Sequence, residues 1–539
     1  MKTLLNSAFR TLRTLRALST LALSFAVFAI AQSTMAQDAA SGPWYGIALP
    51  PSVEPHTSPV AIGDRGPAPL VLPADEQALP ELSGEQLAAD LDQIVEFSRD
   101  SLRRQELGGD QFWGRVSGFE SGDAVVEWAA EQLTEAGIEE VRVQRFEQAP
   151  DASLWIAEQW EMRLHGKSVF GAGSQDVVLE SSMALAPSEI PGGELTAPIV
   201  YVGKGTASEL MHIDVAGKIA IQHVTPQAHL VFLRTPSVPR ARELFNRGAV
   251  AVITLVDLPG NERVRDFSNC GGPCFNLGGQ DSWFLTQVMD AAAAAGDSDE
   301  LEMTLSLRAR SHSGLDAINA VAVIPGNSDE TIILNAHADA WFDGAGDNGD
   351  GLAVLLSLGR HFAKPENAIN RTLVLVVSAG HHTSGLNGPR AAVAMNEDLF
   401  SKALLIFNLE HVAQRNIAPA RFNFDDGYRQ YTADIGEAPI VVGITNASSY
   451  LQGLFTEGVS RYGTNFMSSA SLMASGEGGG YRSAGVPIVT TMQAPPLYHT
   501  SGEVTEVISV PGMERMARFM AFFVKEVDGA ERELIGSAQ

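Results

Sequence analysis

Residues 335–351 read NAHADAWFDGAGDNGDG. The apolar run Thr331–Leu334 feeds into this stretch, and Leu352, Leu355, Leu356 and Leu358 follow it at helical spacing, so it predicts the end of a buried strand, a turn and a helix start. In α/β sheets that edge is where ligands bind. His337 can offer a neutral imidazole nitrogen to a metal, Asp347 can bridge two cations, and Asp339 is placed to orient the His337 ring from behind. Glycines 344, 346, 349 and 351 allow the backbone to fold closely around such ions.

Three further apolar runs end in residues of the same chemistry. Thr372–Ser378 leads to His381-His382, Ala403–Leu409 to Glu410, and Pro487–Met492 towards Tyr498-His499. Each residue alone is an ordinary polar group at a strand end; four strands delivering metal-competent side chains at their carboxyl ends predict one convergent site.

The string H-x-D, seven residues, D-N-G in a glycine-rich turn resembles the first metal motif of the co-catalytic zinc peptidases of family 28, which include bacterial aminopeptidases and glutamate carboxypeptidase. The resemblance extends over roughly residues 84–526. It implies an α/β fold with a mixed, mostly parallel sheet sandwiched by helices, and two divalent ions, zinc by ligand type. One ion would sit on His337, Asp347 and Glu410, the other on Asp347, His382 and His499, with Asp347 as the bridge. It also implies a cis peptide at Asp347-Asn348, Asp339 as an orienting carboxylate, and Tyr498 as a phenol placed to hydrogen-bond an oxyanion. The expected activity is exopeptidase or other amide hydrolysis by metal-activated water, with a peptide or amide substrate.

The chain departs from that family at the catalytic centre. Relatives usually carry adjacent glutamates, a general base followed by a metal ligand, where this chain has His381-His382. Imidazole substitutes readily for a carboxylate ligand. It substitutes less readily for a negative base, because a proton taken by His381 adds positive charge beside two cations, which depresses its pKa. Glu410, Glu477 and Glu503 also stand where relatives carry aspartate. Loss of the glutamate base keeps open a non-catalytic, transferrin-receptor-like binding protein on the same fold; a glutaminyl cyclase, which shares the core fold, is weakened by the insert described next.

Segment 113–146 (WGRVSGFESGDAVVEWAAEQLTEAGIEEVRVQRF) resembles the amino-terminal part of the peptidase domain and is expected to fold against residues far downstream. Short β-rich pieces, with Val215-Ala216-Gly217-Lys218-Ile219 and Arg247-Gly248-Ala249-Val250 among them, resemble a protease-associated insert. The expected divisions are a leader at 1–36, an extended Pro-rich arm at 37–82, peptidase domain at 83–171, insert at 172–290 and peptidase domain again at 291–535.

Lys2, Arg10, Arg13 and Arg16 precede the apolar run Ala17–Ala31 and the small residues Thr34 and Ala36, the order of a secretory signal cleaved before Gln37. A periplasmic or secreted protein with no membrane anchor is expected. There Cys270 and Cys274, the only cysteines, would form a small-loop disulfide. Hydrophobic content of 45% and 19% charged residues over 539 residues fit a globular chain of two or three domains. The formal charge of −27 argues against nucleic acid or anionic membrane as a partner. Tyr481-Arg482, after three glycines, could reach a substrate carboxylate, yet an exposed Arg on a Gly-rich loop is more often just solvated.

Overall fold

The computed structural model describes residues 66–537 except 168–173, 226–236, 259, 266–269, 420–430, 469–475 and 494–496. The leader and most of the expected arm lie outside the described residues. No described helix is long and apolar enough to cross a membrane.

The site rests on an eight-stranded mixed sheet with the order Glu140–Glu147, Asp316–Ile324, Arg371–Ser378, Ser328–His337, Ala403–Asn408, Ile488–Met492, Ile440–Ile444, Phe466–Ser468. Its centre is parallel: Ser328–His337 pairs with both Arg371–Ser378 and Ala403–Asn408, and the last of these with Ile488–Met492. The register sets His337 beside Ser378, Asn335 beside Asn408 and Asn408 beside Thr490, so four carboxyl ends reach one edge together.

These strands are apolar on both faces because helices cover both. Side chains alternate across a strand, and the packing follows that period. Ile332, Leu334, Leu373, Leu375, Leu405 and Phe407 join the core beneath the helices Gly84–Arg103, Glu120–Glu135, Asp350–Phe362 and Val510–Gly529. Ile333, Val374, Val376 and Ile406 point the other way, against Ala392, Phe400 and Tyr481. Helix Gly84–Arg103 begins at Ser83, whose hydroxyl accepts the Gln86 N–H at 3.3 Å.

A second eight-stranded sheet has the order Val177–Val178, Leu154–Leu164, Glu302–His312, Glu194–Tyr201, Ile219–Val224, Ala251–Val256, Cys274–Leu277, Met183–Ala184. It recruits Leu154–Leu164 and Glu302–His312, which pair along nearly their whole length and flank the insert boundaries expected from sequence. Cys270 and Cys274 are bonded to each other at its edge.

The segment around Trp113 does fold against distant residues. The Arg115 guanidinium is fully buried and donates to the carbonyls of Ala338 (2.6 Å), Asp343 (2.6 Å) and Gly344 (2.8 Å), while Trp113 Nε1 donates to Asp343 Oδ1 at 3.0 Å. One side chain thus satisfies three carbonyls of the loop that carries the opening motif. Arg115→Ala would leave the Ala338 carbonyl unpaired, while those of Asp343 and Gly344 keep the Ser98 hydroxyl (3.3 Å) and the Gly349 N–H (3.1 Å), and we predict a loss of at least about 1 kcal/mol, from roughly 1–3 kcal/mol per orphaned buried group. Chemical denaturation measures it, and a loss under about 1 kcal/mol would show that water or relaxation replaces the clamp.

Candidate metal centre

After strand Ser328–His337 the chain turns through Ala345–Gly349, and the Asp347-Asn348 peptide is cis. Two neighbours of Asp347 fasten this turn to the next strand end. Asn348 Nδ2 donates to the Leu409 carbonyl at 2.8 Å and its Oδ1 accepts the His411 N–H at 3.1 Å. Asp350 Oδ2 accepts the N–H groups of Val412 (3.0 Å) and Ala413 (2.7 Å). Asp347 is left free to face the site.

Four imidazoles surround its carboxylate. Asp347 Oδ1 lies 3.2 Å from His337 Nε2 and 2.9 Å from His411 Nε2; Oδ2 lies 3.3 Å from His382 Nε2 and 2.6 Å from His499 Nε2. Potential ligand atoms gather within 4.8 Å of one another in the groups His337–Glu410–His411, Asp347–His382–His499 and His337–His381–His382. His337, Asp347, His382, Glu410 and His499, all named from the sequence, therefore meet at one place. His411 also lies there and was not foreseen. Its only signal was its position beside Glu410 at the strand end, which parallels the His381-His382 pair.

The hydrogen bonds behind two of the rings fix their tautomers. His337 Nδ1 is 3.0 Å from the Asp339 carbonyl and His411 Nδ1 is 2.8 Å from the Gln493 carbonyl; a carbonyl only accepts, so each Nδ1 carries the proton. Each Nε2 lone pair then faces a carboxylate, an arrangement that requires a proton or metal ion between them. The donors fit a pair of divalent ions on a second count. His337 Nε2, both His382 nitrogens and Glu410 Oε1 are buried without a hydrogen-bond partner among the described residues, and unsatisfied buried nitrogens and carboxylate oxygens are what such ions take.

With protons as the only cations, burial works against charge on His337, His411 and His499. At His337 and His411 the field and hydrogen bonding of Asp347 outweigh burial and lift the pKa to about 9 and about 10. At His499 burial wins, and the pKa falls to about 3 despite the close carboxylate. Burial would raise the Asp347 pKa, but His382 and His411 hold it well below the usual carboxylate range.

Asp339 acts differently from the expectation. It holds the His337 ring through its backbone carbonyl, while its carboxylate Oδ1 stands 3.7 Å from Nδ1, beyond hydrogen-bond range. The carboxylate instead accepts the backbone N–H of His381 (Oδ1, 3.2 Å) and of His382 (Oδ2, 2.9 Å). It therefore anchors the His381-His382 turn. The strand ends at His337, and beyond it Asp339 presents its carbonyl to the ring and its side chain to the adjacent strand end.

His381 stacks on His337 with ring centroids 4.4 Å apart, and its Nε2 is 3.7 Å from Glu410 Oε1. Burial, reinforced by His337 and His382, holds its pKa well below the ordinary histidine value, so the ring is neutral at pH 7. Glu410 Oε2 accepts from Asn408 Nδ2 at 2.7 Å and from the Glu477 N–H at 3.1 Å, which leaves Oε1 turned to the histidines. Tyr498 stacks on His499, and burial together with Asp347 raises its pKa far enough to keep it a neutral phenol.

Glu503 is buried, its pKa raised well above normal by burial and Asp347, and it accepts from Gln414 Nε2. Tyr481 is fully buried and donates to Asn335 Oδ1 at 2.7 Å, and Arg482 is exposed, as a solvated side chain would be. The glycines before them lie in the 3-10 helix Gly476–Ala484. Glu477 on that helix was noted in the sequence only as a departure from relatives. It accepts from Asn335 Nδ2 (2.8 Å) and Ser378 Oγ (2.7 Å), and burial raises its pKa to about 7.

A cavity of about 400 Å³ opens onto the centre, with Trp341, His381, His382, Asn387 and Glu477 in its wall. The second sheet reaches the same place. The Arg265 N–H donates to the His499 carbonyl at 3.0 Å, and its guanidinium lies 4.0 Å from the centre of the Trp341 ring.

Residues 319–524, which contain every strand end just described, match peptidase family M28. This segment belongs to that family. Solved structures share the fold over more than four fifths of the chain. A zinc aminopeptidase from Bacillus subtilis is 17% identical with a TM-score of 0.55, over 85% of this chain and 98% of its own. An M28 peptidase precursor from Shewanella amazonensis is 19% identical with a TM-score of 0.57, over 83% and 96%. An aminopeptidase from Aneurinibacillus sp. strain AM-1 is 18% identical with a TM-score of 0.50, over 83% and 94%. At such identities the likeness concerns the fold. No curated protein matches the chain.

Proposed function

We propose that the chain is an exported dinuclear metallopeptidase of the M28 type that removes residues from the amino end of peptides or related amides. The observation that carries this reading is Asp347, whose two carboxylate oxygens face separate sets of imidazoles, His337 and His411 on one side and His382 and His499 on the other. Zinc suits nitrogen and oxygen donors of this kind. When bound, such ions polarise a scissile carbonyl and acidify water.

The protein's own groups supply the remaining parts. His381, neutral and in the cavity wall, accepts a proton in the attack and returns it to the leaving amine. Asp339 fixes the turn that carries it. The Tyr498 phenol is a hydrogen-bond donor for a carbonyl oxygen that becomes negative. Glu477 Oε1 has no hydrogen-bond partner and no Lys or Arg is among the cavity's described lining residues, which favours a substrate ammonium over a substrate carboxylate. We read the second sheet as a protease-associated module, and export as consistent with the leader and the Cys270–Cys274 bond.

The test is a zinc-loaded assay on aminoacyl anilides with free and acetylated amino groups, beside peptides blocked at the carboxyl end. Hydrolysis should require the free amine, and Glu477→Gln should raise KM more than it lowers kcat. Cleavage that depends instead on a free carboxylate would reverse the assignment of the substrate end. Zinc-loaded protein that cleaves nothing would favour the non-catalytic binding protein, the reading that His381 in place of a carboxylate base keeps alive.

A further inference from the structure

We propose that His411 is a sixth metal ligand, which closes the first metal site with four protein donors and leaves the open coordination to the second. The proposal rests on the dinuclear reading above and adds a division of labour between the ions.

Three observations converge on it. His411 Nε2 is 2.9 Å from Asp347 Oδ1 and 3.9 Å from Glu410 Oε1, and it falls in one group of potential ligands with His337 and Glu410. The ring is already set for coordination through Nε2, because its Nδ1 proton is held by the Gln493 carbonyl at 2.8 Å. The backbone is also committed. His411 and His499 are two of the five non-glycine residues with positive φ among the described residues, at 48° and 57°. That region is uncommon for residues with a Cβ and tends to persist where surrounding structure or function holds it.

Counting donors then separates the two sites. The first has His337 Nε2, His411 Nε2, Asp347 Oδ1 and Glu410 Oε1, a complete tetrahedral complement. The second has His382, His499 and Asp347 Oδ2, three donors and one place free. Zinc sites with four protein ligands are characteristically structural, and those with three keep a position for water or substrate. The cavity agrees with this asymmetry. Of the six proposed ligands, only His382, a ligand of the second site, is in its wall. The first ion would hold Asp347 and Glu410 in place, and the second would meet the substrate.

The experiment uses the full chain stripped of metal and titrated with cobalt(II) by calorimetry and visible absorption, as wild type, His411→Ala and His411→Gln. Wild type should take two ions. Each variant should keep one at near wild-type affinity and lose at least about 100-fold at the other, beyond the 10–100-fold typical of outer-shell partners. Two ions bound within threefold of wild type in both variants would overturn the proposal and leave the dinuclear reading intact. A wild type that binds no ion would overturn both. A wild type with one ion whose variants gain a second would show that a protonated His411 replaces a metal, and would also overturn the proposal. Proton NMR of the cobalt-loaded wild type needs no variant: four exchangeable, hyperfine-shifted imidazole N–H signals are expected, from His337, His382, His411 and His499, whereas three would refute ligation by His411.

Discussion

Asp347→Ala is expected to empty both metal sites in one step. Its two carboxylate oxygens reach ring nitrogens of both sets of imidazoles, and without it each set loses the negative partner they share. Metal content after equilibration with zinc should fall from two ions per chain to nearly none, while His499→Ala, which removes a ligand of one site, should chiefly lose one. Hydrolysis should fall further than the roughly 10²–10³-fold cost of losing a single oxyanion donor, because the source of carbonyl polarisation goes altogether. Circular dichroism would establish that the variant still folds. Retention of one tightly held ion in Asp347→Ala would mean that the carboxylate is not a bridge.

The second large effect belongs to His381. If its imidazole is the working base, His381→Ala should lower turnover roughly 10²–10⁴-fold, the scale of a positioned acid or base, with both ions retained. His381→Glu restores a negative base and should keep or raise the rate. The pH dependence has a definite sign. Burial, with His337 and His382, lowers the His381 pKa, so the ring stays neutral and competent through neutral pH and loses activity only as acid protonates it. An unchanged rate in His381→Ala would remove it from the chemistry, and the base would have to be sought elsewhere in the cavity wall.

Much of this fold was legible because its central strands are continuous apolar runs, and such runs are what a sheet covered on both faces demands. Their carboxyl ends followed from that pattern, and the family resemblance picked out His337, Asp347, His382, Glu410 and His499 among the residues near them. What could not be read depended on where backbone groups point. Asp339 lies two residues past His337, a spacing suited to an orienting carboxylate, yet its carbonyl takes that task and its carboxylate goes to the next strand end. His411 was hidden because Glu410 had already filled the expected ligand position, and only a left-handed backbone conformation swings the next side chain into the same space. Gly478–Gly480 suggest a loose loop by composition. Tertiary contacts override it: Glu477 and Tyr481, on either side, are tied to Asn335, and the segment becomes a 3-10 helix. The make-up of the second sheet was hidden for a similar reason. Leu154–Leu164 and Glu302–His312 are long partners, and only the pairing between segments far apart in sequence reveals it.

The most direct test of a dinuclear centre organised by one carboxylate is anomalous diffraction at the zinc edge from crystals of the zinc-equilibrated protein. Two peaks are expected, one beside each oxygen of Asp347, the first within reach of His337, His411 and Glu410 and the second within reach of His382 and His499. Crystals with no anomalous peak at Asp347 would contradict the account.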